Sequence, residues 1–418
     1  MAFNSRGDIA LALTGAAGLL LLAACSGSST PSDSASASGS RPGSTSPDQS
    51  GASQSGAIQS GASQSGASQS HGSASSSQPG SASSSQPGAS SPASPTGSAQ
   101  SSSASAGGTV RIGLAGDVHF ALRTAERLAA NPASVFGPAV KGLSAPDLTM
   151  ANLETAIAVG GAAENKAFTF QAPPSAFTAL NAAGIDLVSM ANNHAADYGS
   201  DGLAQTLAAI KGTRFPVIGL GADVDDAYAP YYIEINGVRL AFIAALQVRE
   251  ETLANFTATS TSPGVASAYS ERLPLAVRAA KAKADAVIVY LHWGTEYVHC
   301  PNPDQTGLAD RLAKEGASAV VGTHAHGLQG AGWRPDGTYV AYGLGNYLWW
   351  YSFGDGRDDT GVLTLTLTGS KVTGASFAPA RLDERGIGVP ATGETARRIR
   401  SEFEQFRQCA DLLAAPPR

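Results

Sequence analysis

The sequence predicts an α/β protein in which two β-sheets pack against each other between helices. Three observations carry that expectation. From residue 109 onward, short apolar runs alternate with helix-like stretches, as strands covered by helices require. Four of the apolar runs end in Asn, Asp, Glu or His, the pattern of strands delivering polar groups to one end of a sheet. Two further regions read as hairpins rather than strand–helix units, so antiparallel strands are mixed with parallel ones.

Taken in order, TVRIGLAGD from Thr109 is a first strand ending in a polar turn. DLTMANLE, IDLVSMANNH, DAVIVYLHWG and SAVVGTHAH repeat the plan of an apolar run followed by a polar side chain. Helices are expected over 173–183, 202–211, 271–283 and 304–315. YYIEINGVRLAFIAAL contains two strands joined at Asn236-Gly237, a strong short-range hairpin signal. VLTLTLTGSKVTGASFAP is a second hairpin, and a last helix is expected over 396–413. No internal linker divides residues 109–418, which therefore read as one domain.

The first quarter of the chain is different. Only five charged residues, Arg6, Asp8, Asp33, Arg41 and Asp48, fall among residues 1–108. The apolar run IALALTGAAGLLLLAA from Ile9 is short for a membrane span and suits the core of an export signal. It ends at Leu22-Ala23-Ala24-Cys25, which resembles the lipobox of bacterial lipoproteins. That resemblance implies a signal peptide over 1–25, lipidation of Cys25 and export to the outer face of the cell membrane; an ordinary secretory signal is the alternative. Residues 26–108 are a Ser/Gly/Ala/Gln/Pro spacer in which GASQS and SASSSQPG recur. Such a chain cannot offset its conformational entropy by burial, and a disordered linker of roughly 50 Å root-mean-square span is expected.

Composition excludes some partners. The net charge is −6 and no Lys/Arg cluster exists, so nucleic acid is not expected to be bound. Besides Cys25 only Cys300 and Cys409 occur, an even pair that an oxidising compartment would join; two buried thiols are the alternative.

The chemistry gathers at the strand ends. Of seven histidines, five follow apolar runs: His119, His194, His292, His324 and His326. Carboxyl ends of strands converge in α/β sheets, so these imidazoles are expected to meet. Asp117 and His119 point to one face of an extended turn, as do His324 and His326, while Glu154 and Asn193 end two other runs. Imidazoles, carboxylates and an amide oxygen form a mixed N/O set suited to Mn, Fe, Zn or Mg, and the set is large enough for two divalent ions. In the neighbouring motifs stand Asp197, expected to orient His194 or to head a helix, and Lys166, Glu296 and Asn346, expected to meet substrate; a solvated lysine, a second base and a buried turn amide are their respective alternatives.

GDVHF, ANLET, FTFQAPP, ANNHAADYG, LHWGTEY, GTHAHGLQG and YGLGNYLW occur in this order between Thr109 and Gly393. In this the chain resembles the poly-gamma-glutamate capsule synthesis protein (CapA) family, which is related to the calcineurin-like metallophosphoesterases. The resemblance implies a four-layer α-β-β-α sandwich with a two-metal site between the sheets. It assigns Asp117, His119, Glu154, Asn193, His292, His324 and His326 to the ions and His194, with Asp197, to proton transfer. Two departures stand out. Glu154 occupies the place of a bridging Asp, and Ala195 rather than an acid follows His194. His119 is present where many family members lack a histidine, which leads one to expect a more complete first metal position.

Two functions follow as expectations. One is a metal-dependent hydrolase of phosphoester or related bonds, acting on a cell-surface polymer or its precursor. The other is a non-catalytic assembly or polymer-binding subunit working with membrane subunits of a polymer synthesis complex.

Overall fold

The computed structural model describes residues 108–418; Cys25, the export signal and the spacer lie outside the described residues. The first strand, Thr109–Val118, sits in the middle of an eight-stranded mixed sheet. On one side lie Leu148–Leu153, Leu187–Ser189 and Val217–Ile218, all parallel. On the other lie Asp359–Thr368, Lys371–Leu382 and Gly388–Pro390, all antiparallel, and Asn346–Leu348 pairs in parallel with the strand's last residues. The second sheet has six strands in the order Ala331–Trp333, Tyr339–Ala341, Ala319–His324, Ala286–Trp293, Val238–Leu246 and Tyr231–Ile235.

Alternation along the strands builds the layers, because successive side chains face opposite sides of a sheet. Val238, Leu240, Phe242, Ala244 and Leu246 face the core shared with the first sheet, whereas Ala241, Ile243 and Ala245 face outward. The outer surface is covered by helices Arg272–Lys281 and Pro303–Lys314, through Leu273, Val277, Leu308 and Leu312. Helices Arg123–Ala130, Ser175–Ala183 and Gly199–Gly212 bury Leu128, Leu180 and Leu203 against the first sheet's core. The result is the expected four-layer sandwich. The hydroxyl of Tyr290 crosses between the sheets to donate to the carbonyl of Ala115.

The Asn236-Gly237 turn has both residues at positive φ, 53° and 76°, as its hairpin demands. The last helix is shorter than expected: Gly393–Phe406 ends before the 3-10 turn Gln408–Ala410. Asp411 then turns through a left-handed φ of 51°, and Leu413 exchanges backbone hydrogen bonds with Trp333. A bond from Cys300 to Cys409 ties this tail to the loop after Ala286–Trp293. Among the described residues no helix is long and apolar enough to cross a membrane.

Candidate metal centre

Five parallel strands, three from one sheet and two from the other, deliver their carboxyl ends to one cleft. Asp117 ends Thr109–Val118, and Glu154 follows Leu148–Leu153. Asn193, His194 and Asp197 lie in the loop after Leu187–Ser189. His292 closes Ala286–Trp293, and His324 and His326 follow at the end of Ala319–His324. The turn at Asp117 needs glycine. A Cβ on Gly116 would come 1.8 Å from the carbonyl oxygen of Gly345, the group that accepts the Asp117 N–H at 2.9 Å.

Asp117 is fully buried, and each of its oxygens accepts one hydrogen bond. Oδ1 accepts from the Asn152 amide at 2.9 Å and Oδ2 from the His324 backbone N–H at 3.1 Å, with His326 Nδ1 3.5 Å away. Glu154 is also fully buried, yet its Oε1 has no hydrogen-bond partner. Instead, Nε2 of His194, His292 and His326 lie 3.8, 3.8 and 3.9 Å from it. Burial, and next the charge of Asp117, push the Glu154 carboxyl well above the usual range. A carboxylate oxygen left bare among imidazole nitrogens is a place that a cation fits, since buried polar atoms are otherwise paired.

The surrounding imidazoles are perturbed as well. Burial first, then neighbouring imidazoles, hold His292 and His324 well below the ordinary value, keeping them neutral as metal ligation requires. His324 Nδ1 is buried with no partner. His326 is different: burial lowers it, but Asp117, Glu296 and the Asn346 hydrogen bond outweigh burial and raise it. Both His324 and His326 hold left-handed backbone, at φ 87° and 49°, a strain of about 1–3 kcal/mol each that clusters at functional sites. His292 Nε2 is 2.9 Å from the amide oxygen of Asn193, whose Nδ2 donates to Glu250 at 2.8 Å.

Two groups of ligand atoms result. Asp117, Glu154 and His292 form one, and Glu296, His324 and His326 the other; in each, the ligand atoms lie within 4.8 Å of one another. The groups touch through the Asp117–His326 and Glu154–His326 approaches.

Four more of the expected site residues take the following places. His119 is buried at the same end, but its Nε2 accepts the Trp350 N–H at 2.9 Å and its ring stacks on Trp349 at 4.0 Å. It therefore belongs to neither ligand group. Lys166 turns its ammonium into the fold. Its side chain is 5% exposed and donates to Asn193 O at 2.6 Å and Asp197 Oδ1 at 2.8 Å. Asn346, fully buried, meets His326 Nδ1 with its oxygen at 2.8 Å and so orients that ring, while its Nδ2 has no partner. Glu296, expected near substrate, is exposed and faces the two terminal histidines.

Asp197 binds the cleft's parts together: Oδ2 meets His194 Nδ1 at 2.6 Å and accepts the Phe170 N–H at 2.7 Å. Sequence reasoning missed Asn152, Asn192, Glu250 and Thr323. Asn152 bonds Asp117 and approaches His292 Nδ1 at 3.1 Å; Asn192 accepts the His194 N–H at 3.1 Å; Thr323 lies 3.0 Å from His292 Nδ1. Asn152 shares a strand face with Glu154, two residues on, which was a usable signal. Nothing in the sequence around Glu250 marked it.

The family model of the bacterial capsule synthesis protein PGA_cap matches residues 111–350, more than half of the chain and all of the ligand groups just described. The chain belongs to the bacterial capsule synthesis protein family. Among its relatives in that family, the capsule biosynthesis protein CapA of Bacillus anthracis is 34% identical over 174 residues, 41% of each chain. The PGA biosynthesis protein CapA of Bacillus subtilis is 35% identical over 173 residues, 41% of this chain and 42% of that one. The chain thus aligns with well under half the length of either curated relative. A solved phosphatase structure from Mycoplasma pneumoniae is similar at 14% identity and a TM-score of 0.43, over 66% of this chain and 94% of that one.

Proposed function

We propose that this member of the capsule synthesis family is a membrane-tethered accessory of cell-surface polymer synthesis, of the poly-gamma-glutamate type, with a two-metal hydrolytic site for phosphoester or related bonds. The observation that carries the hydrolytic part is the bare Oε1 of buried Glu154, faced by three imidazole nitrogens. Asp117, Glu154, Asn193, His292, His324 and His326 would hold two divalent ions. Bound there, the ions would supply polarisation of a phosphoryl or acyl oxygen and offset its charge.

The chain's own groups do the rest. Asp197 accepts Nδ1–H of His194 and so turns Nε2 toward the cleft, where it exchanges a proton with the departing oxygen. Lys166 neutralises Asp197 and holds the Asn193 carbonyl. Glu250 takes the Asn193 amide N–H, leaving its oxygen facing His292. Aromatic rings of Phe170 and Trp349 pack on His119 and limit water on that side.

The relatives' names, both biosynthesis proteins, favour a second reading in which the site binds polymer without turnover. Metal analysis of the purified chain, with turnover of a chromogenic phosphodiester, separates the two. Bound divalent metal with metal-dependent turnover supports the hydrolase. Bound metal with no turnover on phosphodiester, phosphomonoester or gamma-glutamyl substrates would hand the function to the assembly reading.

A further inference from the structure

We propose that Glu296 is a metal ligand, completing the shell of the ion held by His324 and His326 in the place that motif position gave to His119. The assignment rests on the metal-binding reading above. It begins with geometry: a Glu296 carboxylate oxygen and one ring nitrogen from each histidine lie within 4.8 Å of one another. His324 is buried with Nδ1 unpartnered, so the group contains a donor atom that nothing in the protein satisfies.

The loop carrying Glu296 is strapped onto the histidine turn. Gly294, at φ 98°, starts the reversal after the strand, and Tyr297 N–H donates to the carbonyl of Ala325, between the two histidines, at 2.7 Å. Two residues on, His299 Nδ1 meets Leu328 O at 2.9 Å, and Gln329 donates to Val298 O at 2.8 Å. The bond from Cys300 to Cys409 closes the loop's far end. These hydrogen bonds fix the backbone just after Glu296 against the segment that bears His324 and His326, and the strand pairing of Trp293 with His324 fixes it before. An otherwise exposed carboxylate is thereby held within 4.8 Å of a ring nitrogen of each terminal histidine.

His119 has surrendered the corresponding role. Its Nε2 lone pair accepts the Trp350 N–H, so in the neutral ring Nδ1, buried and without a partner, carries the proton and has no lone pair to coordinate with. The ring is clamped by Trp349, stacked 2° from parallel, and by Phe170 edge-on at 4.3 Å. A histidine ligand from the first strand is thus exchanged for a carboxylate from a loop of the second sheet. The ligand set becomes more anionic and one of its members more solvent-accessible, which suits a harder, exchangeable ion such as Mn²⁺ or Mg²⁺.

The test is Mn²⁺ titration of the full chain by calorimetry, with bound metal counted after dialysis. Wild type should take two ions. Glu296→Gln, at an exposed position, should keep one ion at wild-type affinity and bind the other at least ~10-fold more weakly, since loss of even an outer partner costs 10–100-fold. His119→Gln should keep both affinities, with its melting temperature measured alongside to register any loss of packing. Two ions at unchanged affinity in Glu296→Gln would overturn the assignment while leaving the metal centre standing. Wild-type protein that takes up no Mn²⁺, Zn²⁺ or Mg²⁺ would overturn the metal-binding reading and this assignment with it.

Discussion

Oδ2 of Asp197 lies 2.6 Å from Nδ1 of His194, and both groups are almost wholly buried. The carboxylate fixes which ring nitrogen faces the cleft, a role distinct from holding metal. Asp197→Asn should therefore retain metal and lose kcat with little change in KM. The expected loss is about 10²–10⁴-fold, the range for a positioned proton-transfer group. Steady-state kinetics on a chromogenic phosphodiester measure it; a change confined to KM would show that Asp197 acts on binding.

Glu154 should reveal a conflict between stability and ligation. Its bare, desolvated oxygen costs the metal-free protein free energy, so Glu154→Gln should raise the melting temperature of the chelated form. The same variant should lose the metal-induced stabilisation that wild type shows, expected at about 2.7 kcal/mol of unfolding free energy with metal at 100-fold its Kd. Thermal melts with chelator and with added Mn²⁺ give both numbers. A wild type whose melting is indifferent to every divalent ion contradicts the prediction.

Removing the Lys166 ammonium should cost stability before it costs recognition. It is buried against Asp197 and Asn193, and breaking such a pair typically costs on the order of 3 kcal/mol or more. Urea unfolding of Lys166→Met checks the value. Near-wild-type stability with a large rise in KM would return Lys166 to the substrate.

Reduction should loosen the tail and the Glu296 loop together. Cys300 and Cys409 are 109 residues apart, and a crosslink closing a loop of that size contributes about 4.7 kcal/mol on the entropic account. Cys409→Ser should lower the unfolding free energy by an amount approaching that figure. A non-reduced digest should contain the linked peptide, and full alkylation of both thiols in native protein would argue against it.

The anchor prediction concerns residues outside those described. Cys25→Ser should shift the protein from the membrane fraction to the soluble exported fraction. Retention on membranes after a salt wash would mean that some other part of the chain binds there.

Much of the fold was legible because its signals are local. The Asn236-Gly237 hairpin, the apolar runs ending in Asp117, Glu154, His292 and His324, and the helices between them depend on turn chemistry and side-chain periodicity. The rule that parallel strands gather their carboxyl ends then placed most of the candidate ligands in one cleft from spacing alone. Ring direction was not legible. His119 has the position of a ligand, but the Trp350 amide that captures its Nε2 comes from a strand-following loop 231 residues later. Lys166 reads as a free cation until Asp197 is folded against it, and Glu296 reads as a loop acid until the Tyr297–Ala325 hydrogen bond pins its loop. Residue type and spacing decide which side of a strand a group occupies. Which lone pair remains free for a metal depends on hydrogen bonds between segments far apart in the chain, and those exist only once the two sheets have packed.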